Sequence, residues 1–325
     1  MRAATPENVA KAAEPLRDIA LISQKMYEAL TLLPQFDFSY ERKGLLEIFQ
    51  TDAGAAHAAH TVHQAHELGL SDTILLNYEE LQALEPQTKL NAKGAIHFKC
   101  DAHLYPNKLM EQMIAHLKQV GVQIKTGELV TGFENKEGKI SKVITDSSVY
   151  DADTVVLATG SWSRELAAKM QVSIPLMPGR GYSVTLENSQ YHINYPAVLI
   201  EGRVALTPMD GNKIRFGGTM EITATNTPPR IERVEGLLAA VKRFYPDFEV
   251  PVPTIDKVWF GFRPCSADGL PYLGRTSKWK NVVMATGHSM LGLSLGAGTG
   301  KIVSEIVNEE TLSMNITAFN PNRFD

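Results

Sequence analysis

The chain has 325 residues, 44% hydrophobic and 21% charged, the balance of an ordinary soluble globular protein of roughly two domains. A formal charge of -4 leaves no basic footprint, so a nucleic-acid partner is not expected. Cys100 and Cys265 form neither a C-x-x-C nor a metal spacing and are expected as reduced thiols in a cytoplasmic setting. No apolar run reaches the ~18 residues of a spanning helix, and Met1–Pro6 carry no apolar stretch of signal-peptide type.

Residues 6–33 place Val9, Ala13, Leu16, Ala20, Tyr27 and Leu30 at three- and four-residue steps, which predicts a helix. Pro15 is expected to split it and Pro34 to end it. Residues 44–50 predict a strand, 52–68 an Ala- and His-rich helix, and 79–85 a short helix. Asp101-Ala-His103 leads through Pro106 into a helix at 107–120, stopped by Gly121. From 122 the pattern turns to short alternating strands, VQIKTG, ELVTGF and KISKVIT, with Gly138 in a hairpin between the last two. The run from Thr154 to Gly160 reads as a parallel strand buried on both faces. Strands dominate 181–222, a helix follows at 230–245, a strand at 256–262 delivers Arg263, a buried strand occupies 281–286, and a helix closes the pattern at 297–309. This is α/β organisation. The two buried strands, far apart in sequence, point to one discontinuous domain with a β-rich domain inserted.

Three features could carry chemistry. Residues 281–300 are strand, Gly-rich turn and helix, and a helix N-terminus offers free N–H groups to anions and polar ring atoms. The segment is neither a P-loop, since Leu295 stands where the first glycine should be, nor a Rossmann fingerprint, since Gly296, Gly298 and Gly300 are G-x-G-x-G. It is either a cofactor-contacting turn or a place of close helix–strand packing. Ala158-Thr159-Gly160 ends a strand, where open sheets bind ligands, and Trp162 just beyond could pack on a ring or on the core. Arg263 ends an otherwise apolar strand, as a surface terminus or as a cation awaiting a carboxylate. His57, His60, His63 and His66 do not make a metal site: each three-residue step turns about 60° around a helix, so the four cannot converge.

Together these segments resemble the D-amino-acid oxidase superfamily of FAD-dependent oxidoreductases, with D-amino-acid dehydrogenases nearer than glycine oxidase. The residues that carry the resemblance are Asp101-Ala-His103, Val155 to Ser163, Gly179-Arg180-Gly181-Tyr182-Ser183, Gly261-Phe-Arg263-Pro264, Asp268 to Gly274, and Gly287-His288. The resemblance implies an FAD-binding domain at 102–175 and 264–325, a substrate-binding domain at 36–101 and 176–263, and connecting helices at 1–35. It places Arg263 on the substrate carboxylate, with Tyr182 near the pocket. Val130 falls on the adenine side of FAD, and Gly160 and Trp162 lie close to the same cofactor. Gly287, His288, Ser289, Met290, Leu291, Gly292, Leu293 and Ser294 fall against the isoalloxazine ring. FAD is expected to bind non-covalently, because the family's flavin-linking cysteine position aligns with Gly261 rather than Cys265.

The implied activity is oxidative deamination of an amino acid by hydride transfer from Cα to flavin, with hydrolysis of the imino acid to keto acid and ammonia. No catalytic base is assigned. A secondary-amine oxidase of sarcosine, glycine or hydroxyproline type is the alternative. The resemblance also implies a quinone or respiratory acceptor, peripheral association with the inner membrane, and leaves a homo-oligomer open. One departure is large: no G-x-G-x-x-G occurs, so the family's first βαβ unit is expected to be missing and the chain to be a fragment. A fragment, a non-catalytic remnant, or a subunit completed by a second polypeptide would each fit that departure. Such a chain is expected to hold FAD poorly and to leave the strands at 154–159 and 282–286 short of a neighbour.

Overall fold

A computed structural model describes residues 5–325. The order is α1 (Pro6–Thr31), β1 (Leu45–Phe49), α2 (Asp52–Glu67), β2 (Ile74–Asn77), α3 (Tyr78–Leu84), β3 (Gly94–Phe98) and α4 (Pro106–Gln119). Then come β4 (Val130–Lys136), β5 (Lys139–Thr145), β6 (Val149–Asp151), β7 (Val155–Leu157), α5 (Ser163–Lys169), β8 (Leu176–Leu186), β9 (Ala197–Leu199), β10 (Val204–Met209) and β11 (Lys213–Ile222). The chain continues through α6 (Ile231–Phe244), β12 (Trp259–Ser266), β13 (Tyr272–Arg275), β14 (Val282–Thr286) and α7 (Gly292–Val307).

The strands form three sheets: eight strands in the order β12-β8-β11-β10-β9-β1-β3-β2, three in the order β13-β14-β7, and three in the order β4-β5-β6. In the large sheet, side chains alternate between faces. One face is apolar: Tyr182, Val184, Val204, Leu206, Ile214 and Phe216 pack on Val234, Leu237, Leu238, Val241 and Phe244 of α6. The opposite face carries Gly181 and Ser183 of β8, Arg215 and Gly217 of β11, Ala205 and Thr207 of β10, and Gly261, Arg263 and Cys265 of β12, aligned by register.

Several sequence expectations change here. Pro15 does not split α1, since Ala12 and Ile19 on either side of it share one core with Leu295 and Ile302 of α7, and that packing outweighs one lost backbone bond. Residues 122–127 form no strand. Gly121, with φ +88°, and Val122 instead cap α4, their N–H groups donating to Lys118 and Leu117 carbonyls. Val156 is 40% exposed, so β7 is not buried on both faces. Among the described residues it pairs with β14 alone, in parallel. The other side of β14 is covered by β13, a strand the sequence pattern did not reveal, as were β2, β3 and β6. Helix α7 starts at Gly292, five residues ahead of the expected 297, and β12 continues through Ser266, so Arg263 sits inside a strand.

Candidate active site

The site is built around β12. Its partner β8 pairs Arg263 with Gly179 and Gly261 with Gly181. The Arg263 side chain folds diagonally across Gly181, where any Cβ would overlap the guanidinium. Gly179 is likewise crowded by Met220 and Cys265. The glycines therefore make a floor on which a long cation lies flat.

On the next strand, the pairing of β11 with β8 shifts register between Gly218 and Glu221. Thr219, at the shift, has φ +62°, a strained conformation for a β-branched residue. Such irregularities re-aim backbone groups; here the Thr219 carbonyl accepts from Arg263 Nη1 at 3.0 Å. Burial lowers the Arg263 pKa, opposed by the nearby Cys265 thiol. Arg263 has no carboxylate partner among the described residues, so a half-buried cation is left ready for an anion.

Two further segments reach β12 from the ends of the parallel pair β7 and β14, the position where open sheets bind ligands. After β7, Gly160 (φ +54°) opens a turn. Ser161 Oγ donates to the Phe262 carbonyl at 3.1 Å, and half-exposed Trp162 stands edge-on to Phe262. After β14, Gly287 (φ +82°) and Ser289 (φ +50°) turn the chain so that His288 bridges to Cys265. Thr286 ties the two turns together, its hydroxyl donating to the Gly160 carbonyl at 3.2 Å. Helix α7 follows with no side-chain cap, leaving its first N–H groups free. Tyr27 of α1 steadies it by donating to the Leu293 carbonyl at 2.7 Å. Burial pushes the His288 pKa down to about 4, so the imidazole is neutral at pH 7, with Nε2 2.9 Å from Thr299 Oγ1.

The structure thus brings together Arg263, Gly160, Trp162 and the Gly287–Leu291 turn, with Gly292, Leu293 and Ser294 in the first turn of α7. It does not bring Tyr182 to them. That side chain is 1% exposed on the opposite, α6-packed face, where its hydroxyl donates to Glu221 and accepts from Arg230 N–H, both at 3.0 Å. Val130 starts β4 in another sheet. Its neighbour Thr131 accepts from Lys169 at 2.8 Å, which places Val130 one short helix, α5, away from Trp162. Met220 and Thr219 carry no sequence signal, and Gly181, part of the G-R-G that carries the resemblance, gains its role as the seat of Arg263 only from the register of β12 on β8.

The arrangement fits the ring of a flavin. Gly160 and Gly292 face open space, with no neighbour closer than 3.9 Å to an added Cβ, and Met290, Leu291 and Leu293 are exposed beside them. The free N–H groups of α7 suit the electron-rich edge of such a ring. Leu293 and Ser294 also line a cavity of about 440 Å³ that includes Phe98, His103, Met209 and Arg215, while Arg263 lies outside that cavity, along the same sheet face. Among the described residues there is no metal-binding cluster of His, Cys, Asp or Glu, and no helix is long and apolar enough to cross a membrane.

The model of the FAD dependent oxidoreductase (DAO) family matches residues 5–306. Hydrogen cyanide synthase subunit HcnC of Pseudomonas aeruginosa is 31% identical over 313 residues, 94% of this chain and 74% of that protein. A D-amino acid dehydrogenase of Neisseria meningitidis is 28% identical over 295 residues, 89% of this chain and 69% of that protein. In three dimensions the chain is similar to glycine oxidase from Geobacillus kaustophilus, with TM-score 0.85, 22% identity, and 96% and 83% of the two chains covered. L-proline dehydrogenase from P. horikoshii gives TM-score 0.82 at 20% identity, over 96% and 82%.

Proposed function

The chain belongs to the family of FAD-dependent oxidoreductases, and from that premise we propose that it oxidises the Cα–N bond of an amino acid, a primary D-amino acid rather than a secondary amine. The observation that carries this reading is Arg263: a half-buried guanidinium without an acid partner, laid over Gly181 beside the turns at Gly160 and Gly287. Its fork suits a substrate carboxylate bidentately.

Arg263 fixes the carboxylate, and the Thr219 carbonyl holds the fork in place, so the substrate Cα faces the Gly160–Gly292 side of the site. That is an orientation effect. Exposed Trp162, Met290 and Leu291 offer the apolar surface on which the ring would lie. Gly160, Trp162, the Gly287–Leu291 turn and the first N–H groups of α7 would hold the ring of a non-covalently bound FAD, and Val130 its adenine side. Bound there, FAD supplies the hydride acceptor. His288, neutral and bonded to Thr299, keeps the turn in shape and is given no proton to move.

The test is anaerobic reduction of the flavin-loaded protein by matched D-, L- and N-methyl amino acids, followed by its visible absorbance. Bleaching by D-amino acids first supports the reading. Bleaching by N-methyl substrates alone supports the secondary-amine alternative, and no bleaching by any of them sinks both. A second reading makes the chain one subunit of an assembly; the description of the Pseudomonas relative as a subunit and the open edge of β7 support it. Co-purification that raises flavin content would favour that reading.

A further inference from the structure

Arg215 is a charged side chain that the proposed function leaves unused. Among the described residues it makes no hydrogen bond and no ion pair, and its Nε is buried without an acceptor. Buried Arg180 has an unpaired Nε too, but its terminal nitrogens donate to the carbonyls of Thr227 and Pro228, and Arg323 is held by Asp268 at 2.8 Å; no such partner meets Arg215. A buried N–H of a guanidinium left without an acceptor costs free energy unless a ligand meets it.

Its place in the sheet says which anion. Arg215 lies opposite Thr207 of β10 and Thr185 of β8, on the same face as Arg263, and it lines the 440 Å³ cavity with Thr207, Met209 and His103. Between the two arginines β8 and β11 carry only Gly181, Ser183 and Gly217, and a Cβ added at Gly217 would meet nothing closer than Ser183 at 4.0 Å. Small residues therefore separate the two cations along β8 and β11, with Trp259 of β12 beside them, opposite Ser183. From Gly181, which the Arg263 guanidinium covers, to Thr185 is four residues of strand, about 13 Å at ~3.3 Å per residue. That is a separation along the backbone; the reach of the Arg215 side chain and a charge-assisted contact of ~2.8 Å at each end reduce what a ligand has to span toward a short dicarboxylate. Asp101 and His103 line the same cavity, but neither is bonded to Arg215: Asp101 Oδ1 accepts from the Ala102 N–H at 2.9 Å, and His103 Nδ1 has no partner.

We propose that the substrate is an acidic amino acid, its α-carboxylate on Arg263 and its side-chain carboxylate on Arg215. This rests on the reading of Arg263 given above and adds the substrate class. The experiment is calorimetric titration of the flavin-loaded protein with glutarate and with butyrate, comparing wild type, Arg215→Gln, Arg215→Lys and Arg263→Gln, each first checked by thermal melt. Wild type should prefer glutarate about 10- to 100-fold, the worth of hydrogen bonds to a charged group. Arg215→Gln should collapse that ratio, Arg215→Lys restore part of it, and Arg263→Gln weaken both probes. Oxidation should follow suit, with the kcat/KM ratio of glutamate to norvaline falling by about the same factor in Arg215→Gln. Equal binding of both probes by wild type, or equal weakening of both by Arg215→Gln, overturns the proposal. If no amino acid is oxidised while an Arg215-dependent preference for glutarate persists, the redox reading and the substrate assignment fail together, and only dicarboxylate binding by the two arginines stands.

Discussion

A Cβ at position 181 would overlap the Arg263 guanidinium, so β8 needs glycine there because a cation crosses its backbone. Gly181→Ala should therefore lift Arg263 from its seat and weaken binding of a simple carboxylate by about tenfold or more, while the melting temperature moves little, because the apolar core lies on the other face. Unchanged affinity would mean that Arg263 does not bind the carboxylate from this seat. Arg263→Ala should cost on the order of 2–5 kcal/mol of carboxylate binding, and Arg263→Lys most of that, since the fork is lost. His288 gives a pH signature. Its folded pKa, pushed to about 4 by burial, lies below the unfolded ~6.5, so the unfolded chain binds the proton first as pH falls. The stabilising contribution is full above pH 6.5 and is lost as pH falls through 4, at most about 3 kcal/mol. Glu85 runs the other way, its carboxyl raised to about 7 by burial, losing its contribution as pH rises. Denaturant titrations of wild type and His288→Gln at several pH values separate the two: the stability gap between them should shrink toward pH 4, and a gap independent of pH would be contrary to the assignment.

At the scale of elements, the glycines around α7 divide by what they touch. A Cβ on Gly298 would stand 2.7 Å from the Ile19 carbonyl of α1, so this glycine lets two helices approach closely. Gly298→Val should cost about 1–3 kcal/mol of stability, as overpacking does. Gly287 has φ +82° and would press a Cβ to 2.8 Å from the Tyr272 ring, so it serves the turn's own packing as well as any cofactor. Gly292 is different, with only His288 Cβ at 3.9 Å. Gly292→Val should lower FAD affinity with stability within about 0.5 kcal/mol, whereas Gly287→Val should lower both. Thermal melts of the flavin-free protein beside flavin titrations check each; a Gly292→Val protein that keeps full FAD affinity would move the ring elsewhere.

For the whole molecule, one exposed seam stands out. The outer edge of β7 has no strand beside it among the described residues, and Val156 beside it is 40% exposed. An unpaired apolar edge invites pairing with another chain. Val156→Lys should reduce concentration-dependent association in sedimentation runs without changing the melting temperature. An unaltered association profile would place the self-contact elsewhere.

Much of this protein was legible in its residues because the signals were local. Hydrophobic periodicity found α1, composition and Pro and Gly boundaries placed α2 and α4, Gly138 marked the β4–β5 hairpin, and the apolar runs at 154–160 and 281–286 became a parallel pair. The same locality explains the failures. Residues 122–127 alternate like a strand, yet a strand exists only where a neighbour pairs with it, and here the chain caps α4 instead. Pro15 looked like a break because the packing of α1 on α7 is invisible along the sequence. Arg263, Gly160, Trp162 and the Gly287 turn could each be named from sequence, but their convergence on β12 is a property of sheet order and register. Tyr182 shows the limit most sharply. One residue from Gly181, it faces the opposite way, because a strand turns each successive side chain to the other face. Which face would be core and which would hold the cations was decided only when α6 packed against the sheet.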